Sequence, residues 1–121
     1  MTGQTIYIEM SELDYKLILR VKQLREEHGF SQVELSHKMG LSSGFIGKVE
    51  LLTAPDKYNI RHLNILAKVF NFKNLSELYP ATLPKNDMIR LKVRITNNLK
   101  KDGSPSKKNL TEVVEIIPLN Q

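Results

Sequence analysis

Three histidines, His28, His37 and His62, and no cysteine make up the stock of imidazole and thiol groups in this 121-residue chain. No two of the histidines have the His-x-x-x-His spacing that would set a pair of imidazoles on one helix face for a metal. None stands in a Ser/His/Asp arrangement that would activate a hydroxyl nucleophile. They read as surface or helix-terminal side chains. The missing thiol removes a disulfide framework, a thiolate metal site and a cysteine nucleophile together. No glycine-rich loop follows a strand, so nucleotide chemistry lacks its usual phosphate cradle. The expectation is a protein that is not an enzyme and that carries neither cofactor nor metal.

The informative stretch is Gln32 to Val49, QVELSHKMGLSSGFIGKV. Its apolar residues fall at Leu35, Met39, Leu41, Ile46 and Val49, with small Ser36 among them and Gly40 at a corner. Two helices crossing at about 90–120° through a short turn need this arrangement: a small residue where the backbones touch, a glycine in the turn and apolar inner faces. The second helix of such a pair projects outward and can enter a groove.

The flanking sequence has to hold that pair in place. Thr5 to Met10 is rich in β-branched and aromatic residues and reads either as a short strand or as a loose arm. Ser11 with Asp14 resembles a capping box, after which Leu13, Leu17, Val21 and Leu24 form the stripe of a helix of about four turns that Gly29 ends. Ser31 with Glu34 opens a second, short helix through Leu35 to Met39, stopped by Gly40. Ser42 is expected to cap a third helix to about Leu51. Gly44 and Gly47 weaken that helix by up to about 1 kcal/mol each, so full ordering on DNA alone is expected. A loop over residues 53–58 leads to Asn59, the cap of a fourth helix carrying Leu63, Leu66, Ala67 and Phe70. Asn74 caps a last turn with Leu75 and Leu78 inward, and Pro80 and Pro84 end the helical part.

Beyond residue 80 the period changes from 3.6 to 2. Ile89, Leu91, Val93 and Ile95 alternate with Arg90, Lys92, Arg94 and Thr96, which predicts a strand with one apolar and one basic face. A second strand is predicted over Thr111 to Ile117, with a polar, mobile loop from Asn98 to Asn109 between them. The chain therefore divides into an arm or short strand (1–10), a helical domain (11–80) and a β-hairpin extension (81–121). A two-stranded hairpin is marginal alone. Its apolar row must lie on the helical domain, on the N-terminal strand or on the hairpin of a second subunit.

With its landmarks in order, the sequence resembles the lambda-repressor-like helix-turn-helix domains of the Cro/CI type, also called the xenobiotic-response-element family. The likeness covers about residues 17–79: Leu24-Arg25-Glu26-Glu27-His28-Gly29-Phe30-Ser31-Gln32, then Leu35, Gly40, Ile46 and Glu50, then Leu66-Ala67-Lys68-Val69-Phe70 and Leu75-Ser76-Glu77-Leu78. It implies a mainly α fold, a five-helix helix-turn-helix domain with the β-hairpin appended. It also implies a cytoplasmic, nucleoid-associated regulator of the bacterial and phage kind. Gln32 would bind a phosphate, Ser42 the backbone, and Ser43, Gly44, Phe45 and Lys48 would read bases. Serine hydroxyls can donate or accept, lysine can reach guanine O6 or N7, and a phenyl edge can pack on a thymine methyl. After Glu50 the family places a polar or basic residue and a glycine, whereas Leu51 and Leu52 stand here. Lys57, Tyr58, Asn59 and Arg61, at the start of the fourth helix, are expected to take over as phosphate contacts.

The charge of +5 is unevenly placed: residues 1–80 hold ten basic and nine acidic side chains, residues 81–121 eight and four. Arg90, Lys92 and Arg94 can be a solvated face, a phosphate contact or a seat for an acidic partner. No apolar stretch approaches the 18 or so residues that cross a bilayer, and MTGQTIYIEM lacks a basic segment followed by an apolar run, so neither membrane nor export is expected. The reading is a sequence-specific regulator of double-stranded DNA, a repressor and homodimer, with Ile89, Leu91, Val93 and Ile95 as the dimer or partner strand. Deleting 82–121 should leave a folded monomer that binds DNA weakly. The alternative is an antitoxin or adaptor whose extension holds a protein such as a toxin.

Overall fold

Three segments of alternating sequence form one antiparallel sheet, and four segments of helical period form the rest. A computed structural model describes residues 3–99 and 105–119, and the side chains of all of these but 97–99 and 105–110. In chain order the elements are β1 (Gly3–Ser11), α1 (Glu12–Glu27), α2 (Gln32–Lys38), α3 (Phe45–Leu51), α4 (Ile60–Val69), a single 3₁₀ turn (Leu75–Glu77), β2 (Met88–Leu99) and β3 (Pro105–Pro118). They fall into two compact units, Glu12–Lys85 and Met1–Ser11 with Asn86–Gln121.

The expected mainly α, five-helix class is therefore corrected. Among the described residues there are four α-helices and a three-stranded antiparallel sheet in the order β1-β2-β3. The segment expected to be a fifth helix is the three-residue 3₁₀ turn, because Pro80 follows too closely for a second turn to form.

In the helical unit, α1 buries Leu17, Ile18, Val21 and Leu24 together with Tyr15, whereas Leu13 is 43% exposed. Leu35, Ile46, Val49, Leu66 and Leu78 are fully buried and form the centre of the core. Burial of this kind contributes about 1.5–3 kcal/mol per large aliphatic side chain. Two helix ends close as their glycines require. Gly29 and Gly40 take φ of +71° and +74°, and the next residues, Phe30 and Leu41, donate backwards to the carbonyls of Arg25 and Ser36 at 3.0 Å.

In the sheet unit β2 is central. Gly3–Ser11 pairs with Met88–Thr96, so the open question over residues 5–10 is answered as a strand. Both hairpin strands run further than expected, β2 to Leu99 and β3 from Pro105, so residues 98–99 and 105–109 of the expected mobile loop are strand, and the remainder of that loop, 100–104, lies outside the described residues. Ile89, Leu91 and Val93 are fully buried and Ile95 is half-buried. A bulge between Lys92 and Val93 lets Lys92 pair with Glu115 and Arg94 with Glu112. These two glutamates are three residues apart, so only the extra residue brings both to the basic face, with Val113 and Ile116 on the other. Arg90 reaches Glu9 on β1 at 2.8 Å. The basic row thus faces the chain's own carboxylates.

Candidate nucleic-acid interface

Placing α3 depends on α2. Ser31 and Glu34 form the expected reciprocal cap: the Ser31 hydroxyl accepts from the Glu34 N–H at 3.0 Å and the Glu34 carboxylate from the Ser31 N–H at 3.0 Å. The Ser31 N–H donated to it, foremost, and the Ser31 hydroxyl hold the Glu34 carboxyl below its ordinary pKa. One turn on, Ser36 is fully buried at the crossing of the two helices. Its hydroxyl donates to the Gln32 carbonyl at 2.9 Å and accepts the Ile46 N–H at 3.1 Å. One of the N–H groups that a helix start leaves without an internal partner is thereby satisfied from the neighbouring helix.

Ser42 is not the cap of α3. The helix starts at Phe45, its N-cap is Gly44 with no side-chain hydrogen bond, and Ser42 contributes its carbonyl to a turn closed by the Phe45 N–H at 3.1 Å. Only Gly47 of the two glycines is therefore inside the helix. A Cβ there would stand 3.3 Å from the Gln32 Oε1, so Gly47 leaves room for the Gln32 amide.

Behind α3 lies a polar lock. Arg25 grips Glu50 with Nε and Nη2 at 2.9 Å each and donates through Nη1 to the Phe30 carbonyl at 2.8 Å. Gln32 Nε2 donates to the same Glu50 at 3.0 Å. The side chains of Arg25 and Glu50 are 11% and 3% exposed, and the hydrogen bond to Glu50 raises the Arg25 pKa further above its ordinary value. The lock ties α1, the start of α2 and the end of α3 together.

The expected site residues separate into two groups. Gln32, Ser42, Ser43, Gly44, Lys48, Asn59 and Arg61 are exposed, and Lys57 is half-exposed. Ser43 Oγ lies 3.0 Å from His37 Nε2. Asn59 caps α4, its Oδ1 accepting the His62 N–H at 2.8 Å while His62 Nδ1 accepts the Asn59 N–H at 3.1 Å. Burial, aided by the Arg61 charge, pushes the His62 pKa down, which keeps the ring neutral and able to accept.

Phe45 and Tyr58 lie differently. Phe45 is half-buried, its ring 4.6 Å from that of His62 and 6.1 Å from that of Tyr58. Tyr58 is 9% exposed, and its hydroxyl has no hydrogen-bond partner among the described residues. Burial first, then the nearby Glu50 charge, drives that hydroxyl far above its ordinary pKa. Tyr58 thus stands with the core in this conformation.

Sequence reasoning missed the hydroxyl role of Ser36, whose signal was a polar residue where alanine would fill the same space. It also missed the Arg25–Glu50 lock, whose partners are 25 positions apart and carry no local signature. Leu52, noted for standing where the family has glycine, adopts φ +69° and ψ −30° with its side chain buried.

Among the described residues no helix is long and apolar enough to cross a membrane, and no group of three or more His, Asp or Glu side chains could hold a metal. No family model matches the chain, and no curated protein does. Among solved structures the chain is similar to the crystal structure of the master regulator for biofilm formation SinR in complex with DNA. The identity is 26% over 51% of this chain and 95% of that one, with a TM-score of 0.43.

Proposed function

We propose that this chain is a DNA-binding transcriptional regulator, a repressor that lays α3 in the major groove. The observation that carries the reading is the pair α2–α3, joined through Ser36 and braced by Arg25–Glu50, with Ser43, Gly44 and Lys48 on its open side. In that arrangement Ser43 and Lys48 address base edges. Gln32, Ser42, Lys57, Asn59 and Arg61 hold phosphates, the last three where the α4 dipole favours an anion. Phe45 meets a thymine methyl only if its ring leaves His62, and Tyr58 meets a phosphate only if its buried hydroxyl becomes exposed.

One seven-residue helix contacts few base pairs, so useful specificity calls for a homodimer with half-sites about one helical turn apart. The sheet unit is assigned that role through the open edge of β3, since Ile89, Leu91 and Val93 of the row Ile89, Leu91, Val93 and Ile95 are already buried within the single chain. The test is selection of genomic fragments by the purified protein at near-physiological salt. A two-fold-symmetric site whose binding falls with Lys48→Ala or Ser43→Ala supports the reading. Salt-sensitive binding without sequence preference overturns it and leaves the antitoxin or adaptor role.

A further inference from the structure

The helical unit carries a second surface, built from the outer side of α1 and the chain that follows the 3₁₀ turn. Lys16, Leu19, Arg20 and Gln23 with Tyr79, Pro80 and Ala81 line a depression of about 590 Å³. A smaller apolar one of about 140 Å³ adjoins it, shares Tyr79 and Pro80 and adds Leu13 and Leu83. Four of the ten large apolar side chains exposed among the described residues, Leu13, Leu19, Tyr79 and Leu83, border these two depressions.

A soluble surface spreads such side chains out unless contact with something else offsets their exposure. The site is also shaped in advance. Pro80 and Pro84 restrict the backbone of the wall, and Arg20 Nη2 donates to the Glu77 carbonyl at 3.1 Å, tying α1 to that wall. Along α1 the positions 13, 16, 19, 20 and 23 span ten residue steps, about 15 Å of helix. That length matches two to three turns of a short helix laid alongside.

The charge decides the occupant. Lys16 and Arg20 flank Leu19, and neither is in an ion pair among the described residues, where the pairs found are Arg25–Glu50 and Arg90–Glu9. A polyanion such as DNA would gain nothing from four exposed apolar side chains, and a neutral apolar segment would leave two cations unmatched.

We propose that this groove docks an acidic amphipathic segment of a partner protein, one large apolar side chain seated between Leu19 and Tyr79 and carboxylates on either flank meeting Lys16 and Arg20. The surface is separate from α3, so the inference stands whether or not the chain binds DNA.

The experiment is peptide display against the immobilised full-length chain, followed by anisotropy titration of the selected peptides. Selected peptides should pair an aromatic or branched apolar residue with Asp or Glu one turn away. Amide shifts in the ¹⁵N-labelled protein should move at Leu13–Gln23 and Tyr79–Leu83. Affinity should fall at least tenfold in Leu19→Asn and in the double variant Lys16→Glu/Arg20→Glu. These positions are on the surface, and unchanged far-ultraviolet circular dichroism verifies their folding. Peptides without acidic bias, binding indifferent to both variants, or no peptide above background would each overturn the proposal. So would a change in the sedimentation of the peptide-free protein on Leu19→Asn, which would make the groove a contact between copies of this chain.

Discussion

The buried hydroxyl of Ser36 on α2 accepts the backbone N–H of Ile46 on α3 at 3.1 Å, so the start of one helix is capped by a side chain ten residues earlier on its neighbour. Gly44, at the N-cap position, has no side chain with which to do this. The angle between α2 and α3 therefore rests on this oxygen together with the Gln32–Glu50 hydrogen bond.

Ser36→Ala keeps the volume nearly unchanged and leaves the Ile46 N–H buried without a partner. The expected loss is about 1–3 kcal/mol, the desolvation cost of such a group, read as a lower urea midpoint at unchanged m-value. If the proposed function holds, DNA affinity falls by more than that of a surface variant of equal stability, because α3 loses its orientation as well.

Breaking the Arg25–Glu50 pair from either side should cost about 3–5 kcal/mol, since the remaining charge is buried without its counter-ion. The measurement is a double-mutant cycle with Arg25→Met and Glu50→Leu under chemical denaturation. Removing both is expected to cost less than the two single changes added together. The Arg90–Glu9 pair, in which both side chains are about half exposed, should contribute at most about 1 kcal/mol and weaken with salt.

Leu52 holds a left-handed backbone that disfavours any residue with a Cβ by about 1–2 kcal/mol. Leu52→Ala removes a buried side chain and keeps that strain. Leu52→Gly removes both. The glycine variant should therefore be the more stable of the two by about 1 kcal/mol, the reverse of their usual order within a helix, and thermal or urea unfolding decides it.

Stability should also fall on mild acidification through His62. Its folded pKa is below the ordinary value of 6.5, so between the two values the unfolded chain binds the proton and the folded chain does not. The contribution is fully present above pH 6.5 and is lost as pH drops from there toward the lowered folded value. Protonation also ends the acceptance of the Asn59 N–H by Nδ1, removing one of the two hydrogen bonds of the α4 cap. Urea midpoints at pH 7.5 and 5.0 should differ more in the unaltered protein than in His62→Gln. The other two histidines are common to both proteins and cancel in that comparison.

Much of this architecture was legible in the sequence because it rests on short-range rules. The Ser31–Glu34 cap, the glycines at 29 and 40, the Asn59 cap and the period-two row Ile89, Leu91, Val93 each need only the residues within one turn or one strand. The likeness to a helix-turn-helix also came from local spacing. The same local reasoning failed where distant segments compete. Ser42 has the chemistry of a cap, but Ser36 satisfies the start of α3 from another helix. Leu13 continues an apolar stripe and yet stays exposed.

What only the tertiary structure decided has one physical cause, the pairing of groups far apart along the chain. Residues 3–11 became a strand because residues 88–96 offered a ladder of backbone partners, which no property of Thr5 to Met10 alone specifies. The basic row of β2 became a row facing carboxylates because a bulge shifted β3 by one residue and turned Glu112 and Glu115 to the same face. Tyr58, a loop residue with a polar tip, was drawn into the core because burying its ring outweighed the missing hydrogen bond. By itself the sequence determined the four longer helical segments and the two hairpin strands, but neither the strand at the N-terminus nor that residues 75–77 form only a 3₁₀ turn. Long-range contacts alone determined which of their polar groups remain open to a partner.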